Sequence, residues 1–166
     1  FGSIIPKSGV MRYMADDGVL DDYFAPRPAT ARAIRWDDWG PLTALTASHD
    51  CDWLRSVAWG MQGPENFEGG FLGFRQSVED GDIAARVLVT DDGDRVGVAT
   101  LTTHPIWGGT RILDVLCHPN FWSCASALCA DLGGDGKVVA YADSASSEKL
   151  DALAGLAFQT EATLPG

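Results

Sequence analysis

Residues 87–101, VLVTDDGDRVGVATL, place a short acidic turn between two runs of apolar and β-branched residues. An Asp-Gly turn between two such runs is typical of an antiparallel hairpin. Two more runs that suit strands follow, at residues 111–117 and 137–142. Together they indicate a sheet that extends outward from this hairpin.

Apolar residues at helical spacing predict five helical stretches, at 37–45, 53–57, 67–78, 125–132 and 146–155. Asp37 or Asp38 suits the cap of the first. A short strand is expected at 31–35 and a last one at 157–164. This order predicts an α/β fold with a mixed, mostly antiparallel, twisted sheet and helices on both faces.

The N-terminal part differs in character from the rest. Apolar runs at 10–14 and 19–24 flank an Asp-Gly turn, which predicts a hairpin, and a proline-rich linker follows. We therefore divide the chain into residues 1–27, the tail of a preceding region, and residues 28–166, the domain proper. Because Phe1 replaces Met and no signal segment is present, we interpret the chain as a piece of a longer protein.

Composition narrows the classes of partner. The formal charge of −11 disfavours nucleic acid and anionic membranes, whereas a cationic or neutral small molecule is easier to accommodate. The cysteines lack zinc-site spacing and lie in apolar surroundings, so we expect no metal, reduced buried thiols and a cytoplasmic location. A fused upstream domain and a homodimer are both compatible with the sequence.

Over residues 28–164 the pattern resembles the GNAT superfamily of N-acyltransferases. VLVTDDGDRVGVATL is similar to that family's second and third strands, ILDVLCHP (112–119) to its fourth, and VVAYADSASSEKLDALAGLAF (138–158) to its fifth strand, next helix and closing element. RPATARAIRWDDW (27–39) is similar to its opening strand and helix. The resemblance implies that the strands at 112–117 and 138–142 splay apart around the pantetheine arm of acyl-CoA.

The resemblance also implies acetyl-CoA as co-substrate, with its pyrophosphate at the start of the helix after residue 119. The residues it assigns to this role are Leu116, Cys117, Asn120, Phe121, Trp122, Ser123, Ala125 and Asp143. The family's loop has the pattern Arg/Gln-x-x-Gly-x-Gly/Ala. Here the loop has neither Gly nor Arg, is about two residues shorter, and has Trp122 where Arg or Gln is expected.

Three residues are candidates for catalysis under this resemblance. Asp114 or His118 would remove a proton from the acceptor amine, and Tyr141 would replace the family's acid, whose position is occupied by Leu153. Each has an alternative interpretation. Asp114 suits a solvated face, His118 a turn bonded to backbone, and Tyr141 a packed strand aromatic.

Aromatic and acidic residues are candidates for binding the acceptor, because carboxylates beside aromatic rings suit a cationic amine. They are Trp59, Glu65, Glu68, His104 and Trp107. Two functions follow from the sequence. One is an acyl-CoA-dependent N-acyltransferase that acetylates a small-molecule amine. The other is a catalytically inactive GNAT-like ligand-binding or accessory domain of a larger multidomain protein.

Overall fold

A computed structural model describes residues 4–7, 10–13, 26–48, 67–133, 136–142 and 146–161. The strands in chain order are β1 (Ile4–Lys7), β2 (Val10–Tyr13), β3 (Ala29–Ala33), β4 (Ile83–Thr90), β5 (Arg95–Thr103), β6 (Thr110–Cys117) and β7 (Lys137–Ala140). The helices are α1 (Trp39–Ser48), α2 (Phe67–Glu79), α3 (Ala125–Cys129) and α4 (Ser147–Gly155). Two 3-10 turns, Trp36–Asp38 and Pro119–Cys124, precede α1 and α3.

Strands β3 to β7 form one sheet in sequence order, antiparallel except for the parallel pair β6 and β7. The hairpin predicted from residues 87–101 is its centre. Gly93 lies at φ 92° in the turn, where a residue without Cβ is favoured, and the Thr90 N–H donates to the Asp94 carbonyl at 3.0 Å. The mixed, mostly antiparallel sheet predicted from the sequence is confirmed.

The sheet carries a core on each face, as its strand alternation requires. Leu113, Val115 and Cys117 of β6 point to one face, together with Phe121, Leu128 of α3 and Leu153 of α4. Leu116 points to the other, where the core includes Ile34, Leu42 and Leu45. Phe74 and Val78 of α2 pack against this second cluster. Helices therefore cover both faces, with α3 and α4 on one and α1 and α2 on the other.

Asp38 has a larger role than the helix cap predicted from the sequence. Its side chain is fully buried and accepts hydrogen bonds from Arg32 at 2.6 and 2.8 Å, Arg95 at 2.9 Å and the Arg35 N–H at 2.7 Å. Burial raises the pKa of Asp38, but these hydrogen bonds and the Arg32 charge outweigh it and lower the pKa from 3.8 to about 2. Asp38 thus joins β3 and the start of α1 to β5.

Two predicted elements differ in the structure. The helix predicted over 125–132 begins at Ala125 but ends at Cys129, and the Leu132 N–H donates to the Cys129 carbonyl at 3.3 Å in a tighter turn. The last strand, predicted at 157–164, is absent over residues 157–161, where Ala157 adopts φ 65° and the Phe158 N–H closes α4 by donating to the Leu153 carbonyl. Residues 162–164 lie outside the described part.

The strand at residues 10–13 pairs with a different strand from the one predicted. β2 pairs antiparallel with β1, which precedes it. The expected partner at 19–24 and the helix expected at 53–57 lie outside the described residues.

Candidate functional site

The parallel strands β6 and β7 are paired along only part of β6. Their register runs from Thr110 opposite Lys137 to Leu113 opposite Ala140, and it ends there. β6 continues to Cys117 while still paired with β5 on its other side. Within the described residues, the edge of β6 at 114–117 is therefore not paired with β7. We call this unpaired strand edge, with the space beside it, the wedge; it lies where the resemblance implies that the two strands splay apart.

Two of the predicted catalytic residues lie where the wedge begins. Asp114 and Tyr141 directly follow the last paired residues, Leu113 and Ala140. Asp114 shares its face with Leu116, the face covered by α1 and α2. Ala140 packs on the opposite core, so strand alternation places Tyr141 on the same face as Asp114.

Asp114 contacts a lysine that the sequence pattern did not single out. The Lys149 Nζ atom is 3.4 Å from Asp114 Oδ1, and the two side chains are 6% and 19% exposed. Lys149 comes four residues before Leu153, on the buried stripe of α4, and α4 lies on the face opposite Asp114. The lysine side chain therefore reaches Asp114 through the wedge. The four-residue spacing between Lys149 and Leu153 is the sequence pattern that indicates a buried position for this lysine.

His104, Trp107 and Tyr141 form a second group on the same side. The buried His104 ring stacks on Trp107 at 4.3 Å with an interplanar angle of 12°. Its Nδ1 accepts the backbone N–H groups of Ile106 at 3.1 Å and Trp107 at 3.0 Å, so Nδ1 carries no hydrogen. In the neutral ring Nε2 then carries it, 3.4 Å from the Tyr141 hydroxyl. Two predicted substrate-binding residues thus join a predicted catalytic one.

His118 has the geometry of a capping residue. It is the N-cap of the 3-10 turn Pro119–Cys124, and its Nδ1 accepts the Asn120 N–H at 3.3 Å. Its own N–H donates to the Val96 carbonyl at 2.8 Å, which extends the β5–β6 pairing. These contacts match the turn histidine that the sequence offered as the alternative to a base.

The segment expected to hold pyrophosphate is a packed turn. Phe121 is 1% exposed in the core, and Trp122 packs against the same cluster. The amides of Asn120, Phe121 and Ala125 donate to His118 Nδ1, the His118 carbonyl and the Trp122 carbonyl. The helix that follows has only five residues. This loop does not fit a pyrophosphate, whereas the open strand edge of the wedge fits a pantetheine arm.

Of the remaining predicted residues, some lie in the described part of the chain and others outside it. The side chains of Leu116 and Cys117 are buried in the two cores, and Ser123 is exposed. Glu68 lies at the start of α2, and Trp59, Glu65 and Asp143 lie outside the described residues.

Other features of the described residues add little to this site. They contain no group of residues suited to a metal ion and no helix long and apolar enough to cross a membrane. Their cysteines, Cys117, Cys124 and Cys129, are free thiols, and burial raises the pKa of Cys129 from 9.0 to about 11. A cleft of 550 Å³ between β7 and residues 156–161 contains none of the predicted site residues in its lining.

The sequence matches no protein-family model and none of the curated proteins compared with it. Solved structures are similar, however. A spermidine N-acetyltransferase from Vibrio cholerae, in complex with CoA and spermine, superposes with a TM-score of 0.58 at 14% identity over 82% of this chain and 83% of that one.

Two further acetyltransferases are similar to the same degree. An aminoglycoside 6'-N-acetyltransferase from Acinetobacter baumannii gives a TM-score of 0.56 at 10% identity, covering 84% of this chain and 96% of its own. A glucosamine-6-phosphate N-acetyltransferase from Arabidopsis thaliana gives 0.55 at 12% identity, covering 84% and 97%. The sheet order, the wedge and these neighbours together show that the chain is a domain with the GNAT fold.

Proposed function

We propose that this domain is an N-acyltransferase that transfers an acetyl group from a thioester to the amine of a small molecule. The observation that supports it most is the wedge between β6 and β7, with Asp114 and Tyr141 side by side where the strands separate. An extended thioester arm can occupy such an opening as an additional strand, because the edge of β6 offers backbone donors and acceptors.

The donor that fits this opening is the acyl-pantetheine part of acetyl-CoA. When bound, acetyl-CoA supplies an activated acyl group as a thioester. The backbone of residues 114–117 would hold its arm, and N–H groups of that edge would polarise the carbonyl. The packed turn around Phe121 and Trp122 adds no phosphate cradle, so we expect the pantetheine arm to contribute most of the binding energy.

Asp114 and Tyr141 have complementary roles in this proposal. The Asp114 carboxylate accepts a proton from the acceptor's ammonium, directly or through a water molecule, which makes the amine nucleophilic. The Tyr141 hydroxyl protonates the departing sulfur. His104 orients that hydroxyl, because Nε2–H points at its oxygen and directs the phenolic hydrogen elsewhere.

The acceptor that suits this site is a cationic amine. The chain carries a formal charge of −11, which attracts cations, and the exposed Trp107 ring offers a stacking surface. The similar structures from V. cholerae and A. baumannii are named as acetyltransferases of spermidine and of an aminoglycoside. We therefore take spermidine as the first probe.

The test is thiol release from acetyl-CoA in the presence of spermidine. We expect Asp114→Asn to lower the rate about 100-fold and Tyr141→Phe to lower it by a similar factor. Ser126→Ala, at an exposed position of α3, serves as the control and should leave the rate unchanged. Equal rates in the wild type, Asp114→Asn and Tyr141→Phe would contradict the proposed roles.

One observation favours the second function, a domain without catalytic activity. Phe121 and Trp122 fill the turn in which the resemblance would place pyrophosphate. A thermal-shift titration separates the two functions, since donor at about 100 times its dissociation constant adds about 2.7 kcal/mol of stability. Unchanged stability at millimolar acetyl-CoA, together with no thiol release, would favour the accessory domain.

A further inference from the structure

The wedge already contains a primary amine. Lys149 is 5% exposed, and its Nζ atom is 3.4 Å from Asp114 Oδ1. A buried ammonium group is unfavourable unless it is paired, which accounts for its position against a carboxylate. Lys149 thus contacts the carboxylate that, in the proposed function, removes a proton from the acceptor amine.

We propose that Lys149 is a site of self-acylation, at which the domain transfers an acyl group from a thioester to its own side chain. The inference rests on the proposed function, because it uses the same donor and the same Asp114. It differs from that function in the acceptor, which here is a residue of α4 and not a small molecule.

The chemistry of the step balances. Asp114 takes a proton from the Lys149 ammonium, and the neutral Nζ attacks the thioester carbonyl carbon. The C–N bond forms, the C–S bond breaks, and the sulfur leaves as a thiol after protonation by Tyr141. The nitrogen loses its second proton to solvent as the amide forms, and Tyr141 takes a proton back from solvent. The proton on Asp114 also passes to solvent. The products are an amide on Lys149, a free thiol and one proton.

The sequence offers a built-in comparison for this reaction. Its lysines are Lys7, Lys137 and Lys149. The side chain of Lys137 is 59% exposed and pairs with Glu161 at 2.9 Å. Uncatalysed acetylation by a thioester favours an exposed lysine over a buried one. Preferential modification of Lys149 would therefore reverse the order set by exposure and require the contacts of the wedge.

The experiment incubates the full chain with acetyl-CoA and follows acetylation by intact mass and peptide mapping. We expect one acetyl group, on Lys149, to appear at least about tenfold faster than label on Lys137. Lys149→Arg, which keeps the positive charge, should abolish that label, and Lys137→Arg should leave it unchanged. Asp114→Asn should slow it about 100-fold. The wild-type comparison of the two lysines requires no variant to fold.

Two results overturn the proposal. One is label on Lys137 at a rate equal to or above that on Lys149. The other is an unchanged Lys149 rate in Asp114→Asn. Thiol release with spermidine, measured on the same samples, separates the causes of failure. Acetylated spermidine with unmodified Lys149 removes self-acylation alone, whereas neither product removes the proposed function and self-acylation together.

Discussion

At the scale of single residues, buried charges organise the molecule. Asp38 and Lys149 are 0% and 5% exposed, and each contacts partners far away in the sequence. The sequence predicts neither role, because the partners Arg95 and Asp114 are brought close only by folding. A charged residue in a helical pattern is usually assigned to the solvated side, and Lys149 is an exception.

Removing the Asp38 charge should destabilise the domain. In Asp38→Asn, Arg32 and Arg95 lose their carboxylate partner, and we expect the free energy of unfolding to fall by about 3 kcal/mol. Asp37→Asn is the matched control, since the Asp37 side chain is 65% exposed and pairs with Arg95 on the surface. It should change stability by less than about 1 kcal/mol. Urea unfolding at pH 7 measures both, and equal losses would contradict this account.

Asp38 also predicts an acid dependence. Its pKa is lowered from 3.8 to about 2, so its stabilisation is fully present above the unfolded value. This contribution to the free energy of unfolding, about 2 kcal/mol, is lost as the pH falls from about 4 through about 2. In urea titrations over this range, the difference in stability between wild type and Asp38→Asn should narrow as the pH falls. A difference that stays constant over this pH range would show that Asp38 is not the source of the acid dependence of stability.

At the scale of elements, local signals predicted most of the fold. The β4–β5 hairpin follows from a turn glycine and strand-like runs on both sides, which act within a few residues. The turn at Pro119–Cys124 could not be predicted in the same way. Its shape depends on Phe121 packing into a core built by α4 and β6, and such a contact between distant residues leaves no local sequence signal.

Gly97 shows how closely two of these elements approach. A Cβ at this position would lie 3.1 Å from Cys117 Sγ and 3.2 Å from both the Leu116 carbonyl oxygen and Leu88 Cβ. We expect Gly97→Ala to lower the free energy of unfolding by about 1–3 kcal/mol, because a filled core has to shift. Thermal unfolding measures the change.

Gly73→Ala is the matched control for that substitution. Gly73 lies in α2, and a Cβ there meets nothing within 4 Å. Alanine should stabilise the helix by up to about 1 kcal/mol. A neutral Gly97→Ala, or the same sign for both variants, would contradict the packing described for β5 and β6.

At the scale of the whole molecule, the five-stranded sheet separates two layers of helices. At the wedge, side chains from the two sides of the sheet come into contact. Lys149 from one layer meets Asp114 on the opposite face through it. Sequence resemblance predicted the wedge and placed Asp114 and Tyr141 beside it. It could not predict that Lys149 contacts Asp114, because that contact depends on the position of α4 against the sheet.

Hydrogen exchange with and without acetyl-CoA, at a donor concentration that saturates the thermal shift, tests whether the donor binds between β6 and β7. We expect slower exchange in peptides that cover residues 114–117 and 138–142, with β3 and the β4–β5 turn unchanged. Saturated binding that leaves both peptides unaffected, or that protects only other parts of the chain, would contradict a donor site between β6 and β7.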